Sequence, residues 1–379
     1  MDSCLEFARE QQSAIAAMIE EFAACESPTD DAGAVNRFVE LLAARVEGLG
    51  RVRTLSGGKF GKHLRCELKL PGKPKSGQIL ALGHSDTVWP IGTLRTMPVK
   101  QARGRIWGPG VLDMKGGLAL FLCAVRALRE LDVPVNRRVV LQVNSDEETG
   151  SESSRTLTEA IARQSIAVLV LEPAAGLDGR VKTARKGVGD YSITIRGRAA
   201  HAGLDFANGA NAIVEMARQL ERIAGFTKLD RGITVSPGVV HGGTRSNVVP
   251  DECRAKIDVR IPRMADARYL DRCFSSLKPF DRRCSLEVTG GVNRPPLERS
   301  AGVRKLFRLA QSLSAEMGLG LEEAAVGGGS DGNFTAALGI PTLDGLGAVG
   351  EGAHAANESI LLSRIADRTA LLAKLIAAL

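Results

Sequence analysis

The chain has 379 residues, of which 44% are hydrophobic and 25% charged, and its formal net charge is +7. This length exceeds what one hydrophobic core usually supports, so two domains are predicted, and the composition is typical of a globular protein. The basic residues are spread along the chain and aromatic residues make up only 4%, a pattern that argues against nucleic-acid binding. A cationic pocket for a small anionic substrate explains the charge better.

Neither a membrane segment nor a disulfide framework is predicted. The first residues lack the basic and then apolar regions of a signal peptide, and no apolar stretch approaches the ~20 residues of a membrane span. We therefore expect a cytoplasmic protein with no membrane partner, or a periplasmic one if an export signal has been removed. The seven cysteines are scattered without a Cys-x-x-Cys pair, which is typical of buried, reduced thiols.

In the first half of the chain, short apolar runs alternate with segments whose apolar residues recur at helical spacing. The predicted helices are 5–24, 34–49, 115–131 and 151–163, the last with a serine N-cap, and the predicted strands are 64–70, 78–82, 138–143 and 166–171. Continuous apolar runs that alternate with helices indicate a mostly parallel sheet covered on both faces.

The middle of the chain has a different order of elements. Strands are predicted at 190–196, 233–241, 253–261 and 285–289, and helices at 210–224 and 265–277. This β-α-β-β-α-β order is that of a split βαβ sandwich, a complete small domain. Helices at 299–317, 331–338 and 359–379 and a strand at 341–346 follow. We therefore predict an α/β domain formed by residues 1–185 and 295–379, interrupted by an inserted α+β domain at residues 186–294.

Polar side chains follow several predicted strands of the first domain. His84 and Asp86 come directly after the strand at 78–82, and residues two apart in extended backbone point the same way. Taken alone, this His-x-Asp sequence fits either a surface turn or a metal-binding histidine backed by a carboxylate. The further carboxylates expected at the same edge of the sheet are Asp113, Glu147, Glu148 and Glu172.

This concentration of acidic side chains predicts a metal site. Ligands of open α/β sheets bind beyond the carboxyl ends of the strands, and so many carboxylates in one cleft repel each other unless cations neutralise them. A mixed histidine and carboxylate set suits zinc, or less often manganese or cobalt. The number of candidate ligands predicts two metal ions per chain.

A second histidine ligand is expected from a distant segment. His354 lies in a Gly- and Ala-rich loop, where it has no core to fill, whereas His63 is interpreted as a structural residue without a nearby partner. The side chains of Glu147 and Glu148 diverge, so one can bind a metal while the other transfers protons. An acidic helix N-terminus is the alternative interpretation of this pair, and the two histidines at positions 84 and 354 disfavour it.

Together these segments resemble the acetylornithine deacetylase, succinyl-diaminopimelate desuccinylase and glutamate carboxypeptidase family of dinuclear zinc amidohydrolases. The matching segments are 83–88, 108–117, 146–151, 171–173, 201–203 and His354, in this order along the chain. The resemblance implies a mostly parallel-sheet catalytic domain with an inserted ferredoxin-like βαββαβ domain. That inserted domain would serve as a lid and as the interface of a homodimer.

The resemblance also implies a role for each matched residue of the metal site. One zinc ion would be held by His84 and Glu172, and the other by Glu148 and His354. Asp113 would bridge both ions, next to a cis peptide bond.

Three further matched residues would act on the reaction itself. Asp86 would orient the metal-binding ring of His84, and Glu147 would be the general base and acid. His201 would reach the active site of the other subunit and stabilise the oxyanion.

Five residues outside the metal site resemble substrate-binding positions of the family. Asn247, Arg260 and Arg294 would grip a substrate carboxylate, for which the bidentate fork of a guanidinium is well suited. Gly329 and Ser330 lie in a glycine-rich segment that resembles a substrate-side loop. The alternative interpretation of this segment, a phosphate-binding loop, lacks the lysine that a Walker motif requires.

Glu172 is glutamate rather than aspartate, which resembles the carboxypeptidase and deacylase members of the family. We therefore predict a dinuclear zinc carboxypeptidase, with cobalt or manganese as alternative metals, closest to the glutamate carboxypeptidases. It would release a C-terminal, acidic amino acid such as glutamate from an N-acyl, peptidyl or folate-like substrate. The alternatives are an N-acyl-amino-acid deacylase and, more remotely, a non-catalytic binding protein on the same fold.

Overall fold

A computed structural model describes residues 2–379 and divides the chain into two compact units. The helices are α1 (Ser3–Glu10), α2 (Gln12–Ala24), α3 (Ala32–Val46), α4 (Gly116–Glu130), α5 (Arg155–Ala162), α6 (Ala212–Ala224), α7 (Met264–Ser275), α8 (Ala301–Glu316), α9 (Gly332–Ala337) and α10 (Ile365–Ala378). The strands are β1 (Gly50–Ser56), β2 (Lys62–Leu68), β3 (Gln78–His84), β4 (Lys100–Ala102), β5 (Arg105–Trp107), β6 (Arg138–Asn144), β7 (Ser165–Val170), β8 (Val181–Arg185), β9 (Gly187–Arg196), β10 (Ala200–His201), β11 (Thr234–Gly242), β12 (Val248–Val249), β13 (Glu252–Ile261), β14 (Ser285–Arg294), β15 (Glu323–Val326), β16 (Thr342–Leu343), β17 (Gly350–Glu351) and β18 (Ser359–Leu361).

The first unit comprises the chain up to Ala184 together with Arg299–Val326 and Ser330–Leu379. Its main sheet has the order β1-β2-β6-β3-β7-β16. The strands from β6 to β16 are parallel, whereas β1 and β2 form an antiparallel edge. The mostly parallel sheet predicted from the sequence is therefore confirmed.

Apolar packing on both faces of this sheet explains why β3 is buried along its whole length. Ile79 and Ala81 belong to the large core that also contains the apolar sides of α1 to α4. Leu80 and Leu82 point to the opposite face, into a smaller cluster that includes Ile161 of α5. Because successive side chains of a strand alternate between faces, a run with two buried faces reads as continuously apolar.

The second unit comprises Arg185–Glu298 and Gly327–Gly329. The inserted domain that the sequence predicts spans residues 186–294. Its sheet has the antiparallel order β11-β13-β9-β14. The succession of β9, α6, β11, β13, α7 and β14 is the predicted β-α-β-β-α-β order. One face of the sheet packs on the helices, with Tyr191 of β9 stacked on Phe274 of α7 at 3.7 Å between ring centroids.

Three predicted helices differ from the observed ones. The predicted helix 5–24 is divided at Gln11, which ends α1 and precedes α2. The predicted helix 151–163 begins only at Arg155, because Ser151 adopts a left-handed conformation and its hydroxyl bonds to Asp331. The predicted helix 359–379 begins only at Ile365, because residues 359–361 form β18, which pairs with β5.

Several strands that are short or lie at a sheet edge were not predicted. β1 is a half-exposed edge strand, and β4, β5, β17 and β18 form a small separate sheet of two- and three-residue strands. No helix among residues 2–379 is long and apolar enough to cross a membrane. The cytoplasmic location stays a prediction of the sequence.

Candidate metal centre

Two neighbouring parallel strands bring the first candidate ligands together. His84 is the last residue of β3, and Glu172 follows the end of β7, which pairs with β3 in parallel. Parallel strands end at the same edge of a sheet, and the two side chains meet there with 3.5 Å between His84 Nε2 and Glu172 Oε1. The geometry therefore follows from the strand ends, as the sequence predicted.

Asp113 lies between the two histidines. It occupies an irregular turn, Val111–Lys115, that precedes α4, and its peptide bond to Met114 is cis, as the family resemblance implies. Its Oδ1 is 3.1 Å from Nε2 of His84, and its Oδ2 is 3.4 Å from Nε2 of His354. One carboxylate thus faces both histidines.

The second set of candidate ligands is carried by turns and loops. Glu148 lies in the turn Glu147–Thr149 that follows β6, and its Oε1 is 3.3 Å from Nε2 of His354. His354 lies between β17 and β18 and has a positive φ of 62°. We call His84, Asp113 and Glu172 the inner group and Asp113, Glu148 and His354 the outer group; in each, the potential ligand atoms lie within 4.8 Å of one another.

The donor chemistry of both groups fits divalent cations. Each group offers one imidazole nitrogen and two carboxylates, a set suited to zinc, manganese or cobalt. Glu148 Oε1 is buried and faces Nε2 of His354 at 3.3 Å without a well-formed hydrogen bond, and a buried polar atom of this kind calls for a stronger partner. The residues present therefore could hold two metal ions that share Asp113.

The electrostatics of the protein alone indicate a need for positive charge. Burial opposes protonation of His84, yet its contacts with Asp113, Asp86 and Glu172 raise its pKa well above the usual range. Contacts with Asp113 and Glu148 raise the pKa of His354 to about 10. The carboxylates thus draw protons onto the histidines, and a bound cation would supply the same positive charge.

Asp86 supports the ring of His84 mainly through its backbone. His84 Nδ1 lies 2.9 Å from the Asp86 carbonyl oxygen and 3.5 Å from Asp86 Oδ1. The carboxylate itself accepts the backbone N–H groups of Glu147 and Glu148, at 3.2 and 3.1 Å. It also accepts the hydroxyl of Thr29 at 2.8 Å. Asp86 therefore links the inner group to the turn that carries Glu148.

Glu147 and Glu148 differ in the way their adjacency suggested. Glu148 is a member of the outer group, whereas Glu147 belongs to neither group. Both lie in the same short turn and are partly exposed. Glu147 thus lies next to Glu148 in the same turn without being a member of either group.

His201 and Asn247 lie in the second unit and are exposed. His201 ends the short strand β10, and its Nδ1 accepts the backbone N–H groups of Gly203 and Leu204 at 3.2 and 3.1 Å. These bonds fix the ring with Nε2 as the remaining polar atom. Asn247 precedes β12 in an exposed loop, and its carbonyl oxygen accepts the N–H of Ala202 at 3.0 Å. Their roles remain predictions.

Three other predicted substrate residues differ in their hydrogen-bond partners and in their burial. Arg260 forms a two-bond fork with Asp258, at 2.9 and 2.8 Å, so its guanidinium already has a carboxylate partner. Arg294 is buried at the end of β14. The carbonyl oxygen of Gly329 accepts a bond from Arg185 at 2.9 Å.

Ser330 belongs to the first unit and is fully buried. Its hydroxyl donates to Asp344 Oδ2 at 2.6 Å and accepts the N–H of Gly332 at 3.1 Å. The hydroxyl of Ser330 is therefore engaged within the fold.

Sequence reasoning missed two supports of the Glu147–Thr149 turn. Thr29 comes from a distant segment whose only sequence signal is a turn-forming Pro28-Thr29 pair. His63 has partners after all: it is fully buried, with Nδ1 3.0 Å from Ser145 Oγ and Nε2 3.2 Å from Ser153 Oγ. Burial of the ring lowers the pKa of His63.

The two candidate ligand groups have the composition that metal-dependent hydrolases use. A family model described as peptidase family M20/M25/M40 matches residues 80–378, and the chain belongs to this family. It is therefore a hydrolase that acts on amide or peptide bonds.

Named relatives show how wide the similarity is. Carboxypeptidase G2 of a Pseudomonas strain is 29% identical over 379 residues, covering 97% of this chain and 90% of that protein. Succinyl-diaminopimelate desuccinylase of Cereibacter sphaeroides is 29% identical over 309 residues, covering 75% and 78%. The crystal structure of aminopeptidase PepT from Bacillus cereus superposes with a TM-score of 0.81 at 23% identity, covering 97% and 98%, a likeness of fold alone.

Proposed function

We propose that the chain is a dinuclear zinc carboxypeptidase that releases a C-terminal, acidic amino acid such as glutamate from N-acyl, peptidyl or folate-like substrates. The observation that carries this proposal is the sharing of Asp113 between two candidate ligand groups, with Glu147 adjacent to Glu148 of the outer group. The full-length similarity to a carboxypeptidase supports the direction of cleavage. Cobalt or manganese could replace zinc in the same donor set.

Each residue of the centre has a proposed task. His84 and Glu172 would hold one cation, and Glu148 and His354 the other, with Asp113 between them. When bound, such cations polarise a substrate carbonyl and lower the pKa of water toward ~7. Glu147 would take the proton from the attacking water and pass it to the leaving amine, which requires a carboxylate that is not committed to a cation.

Residues of the second unit have proposed roles at the substrate. His201 would donate from Nε2 to the carbonyl oxygen as negative charge develops on it, in the active site of the other subunit. Asn247, Arg260 and Arg294 would bind the carboxylate of the released amino acid, with Gly329 and Ser330 lining the loop on the substrate side. The net charge of +7 is consistent with an anionic substrate.

An N-acyl-amino-acid deacylase is the second candidate, because desuccinylase relatives reach the same 29% identity over three quarters of the chain. A substrate comparison with the zinc-loaded enzyme separates the two. We expect free glutamate from N-acyl-glutamates and folate-like compounds at a rate at least about tenfold above that on acetylornithine or succinyl-diaminopimelate. The opposite order would identify a deacylase, and no hydrolysis of any amide would point to the non-catalytic alternative.

A second copy of the chain is the proposed partner. β11 is an edge strand, and its Val239 and Val240 are 45% and 53% exposed. Ile213 and Val214 of α6, in the same unit, are also exposed. An edge strand with exposed apolar residues is a template for pairing with another chain.

Light scattering after size exclusion tests this homodimer. We expect a dimer for the wild type and a monomer for Val240→Lys, because the added charges would face each other across the strand pair. Leu229→Lys, at an apolar residue with 77% exposure outside the edge strand, is the matched control and should remain dimeric. A monomeric wild type would contradict the proposal.

A further inference from the structure

Glu358 is a buried carboxylate that the metal centre described above does not include. Its side chain is fully buried and accepts four N–H groups. Oε1 accepts from the backbone of Leu112 and Asp113, at 2.9 and 3.1 Å. Oε2 accepts from the backbone of Gly110 at 2.9 Å and from the indole of Trp89 at 2.7 Å. Burial raises the pKa of Glu358, and these four donors oppose that rise.

The turn before α4 depends on these bonds. Gly110 has a positive φ of 71°, and Asp113 and Met114 have non-helical backbone angles. The N–H groups of such a turn cannot all be satisfied by helical bonding, and buried N–H groups need partners. Glu358 supplies an acceptor for three of them, including the N–H of Asp113 itself.

Glu358 also joins this turn to the segment that carries His354. It lies four residues after His354 and directly before β18, whose Ser359 and Ile360 pair with β5. One short segment therefore presents a ligand of the outer group and holds the backbone of the ligand shared by both groups. Bonds to a charged acceptor are among the stronger hydrogen bonds in proteins.

We propose that Glu358 is a positioning residue that fixes the Asp113 carboxylate between His84 and His354, so that both cation groups depend on it. This inference rests on the proposed metal centre. It differs from the role of a ligand such as Glu148, whose loss would affect the outer group alone. Replacing a residue that hydrogen-bonds to a metal ligand, without itself binding the metal, typically changes metal affinity by roughly 10–100-fold.

The test is Glu358→Gln, with Zn²⁺ affinity measured by competition with a chelator and with kcat and KM measured on the best substrate. The amide places an NH₂ group against one pair of N–H donors, so the turn loses its fixed position. We expect both classes of Zn²⁺ site to weaken about 10–100-fold, and kcat to fall while KM changes less than about threefold.

Glu26→Gln is the matched control. Glu26 accepts the backbone N–H groups of Gly92 and Leu94, the same kind of support on a turn without a potential ligand. It should leave both Zn²⁺ affinities unchanged, and Glu148→Gln should weaken one class only.

Unchanged Zn²⁺ affinities in a folded Glu358→Gln variant would overturn the role of Glu358 while leaving the metal centre standing. A wild type that binds no Zn²⁺ would overturn both. If Glu358→Gln does not fold, Trp89→Phe removes one of the four donors and keeps the carboxylate. We expect it to weaken both classes about threefold or more, and an effect on neither would overturn the proposal.

Discussion

The inner and outer groups share Asp113 but lie in different surroundings. The side chain of His84 is 1% exposed, whereas that of His354 is 47% exposed. The inner group is anchored at the ends of two parallel strands, and the outer group is anchored on the Glu147–Thr149 turn and the loop between β17 and β18. Residues at strand ends are held rigidly, whereas residues on loops are more accessible to solvent. We therefore expect the inner site to bind its cation more tightly and the outer site to exchange more readily.

Their supports differ in the same way. Nδ1 of His84 contacts the backbone carbonyl of the neighbouring Asp86, at 2.9 Å. The turn that carries Glu148 is instead held by side chains, namely the Asp86 carboxylate and the buried His63 with its serine partners. Apart from Asp113, which Glu358 supports for both groups, the inner group depends mainly on strand geometry, while the outer group depends on side-chain bonds that single substitutions can remove.

Asp113→Asn should have the largest effect, because it removes the charge that both groups share. We expect a fall in kcat/KM of about a thousandfold or more, since several kcal/mol of charge stabilisation depend on the cations, with less than one Zn²⁺ retained per chain. Initial rates and elemental analysis check this. Retention of two ions with near-normal activity would mean that the two groups do not depend on a shared ligand.

Glu147→Gln should lower kcat by roughly 10²–10⁴-fold, the range for a lost general base, while both ions remain bound. The reason is that Glu147 lies next to Glu148 in sequence but belongs to neither group. The measurement is turnover and metal content on the same sample. Loss of an ion in this variant would assign Glu147 to the outer group instead.

A comparison of Glu172→Gln with Glu148→Gln should separate the two groups. Each substitution removes a charged ligand from one group only, so we expect the corresponding Zn²⁺ affinity to fall at least about tenfold while the other changes little. Chelator competition on both variants measures this. Equal losses in both classes of site would show that the groups bind their ions as one cooperative unit.

The sequence predicted where the candidate ligands of the inner group meet, because strand ends are local features. His84 directly follows an apolar run, and a second strand-like run ends just before Glu172, so the parallel sheet places both at one edge. The same logic failed for helix starts: the segment at 359–361 has apolar residues that suit a helix, yet it pairs with β5. That pairing joins residues about 250 positions apart, which periodicity does not report.

Supports of the site were missed for a related reason. Thr29 and His63 act through hydroxyl and imidazole contacts with residues far along the chain, and nothing in their local sequence marks those contacts. Glu358 lies in the same sequence segment as His354, but its proposed role depends on contacts with the backbone of the turn that contains Asp113. Candidate ligands can be predicted from sequence pattern, whereas the residues that support them are found only in the tertiary fold.

The smallest expected effect is on stability at low pH, and it concerns His63, one of the side chains that support the turn of the outer group. In the folded protein, burial lowers the pKa of His63 below its ordinary value of 6.5. As the pH falls, His63 is therefore protonated in the unfolded chain before it is protonated in the folded protein. The contribution of neutral His63 to stability is therefore present above about pH 6.5 and is lost below it. Replacing His63 by glutamine removes this titration and should make the fall in Tm between about pH 7.5 and pH 5.5 smaller by up to about 1–2 °C.

The exposed His241 provides the matched control, because it lies on β11 of the second unit. His241→Gln should leave the pH dependence of Tm as in the wild type, whatever the absolute Tm values are. If the Tm of His63→Gln and the Tm of the wild type fall by the same amount on acidification, the ring of His63 contributes no acid sensitivity.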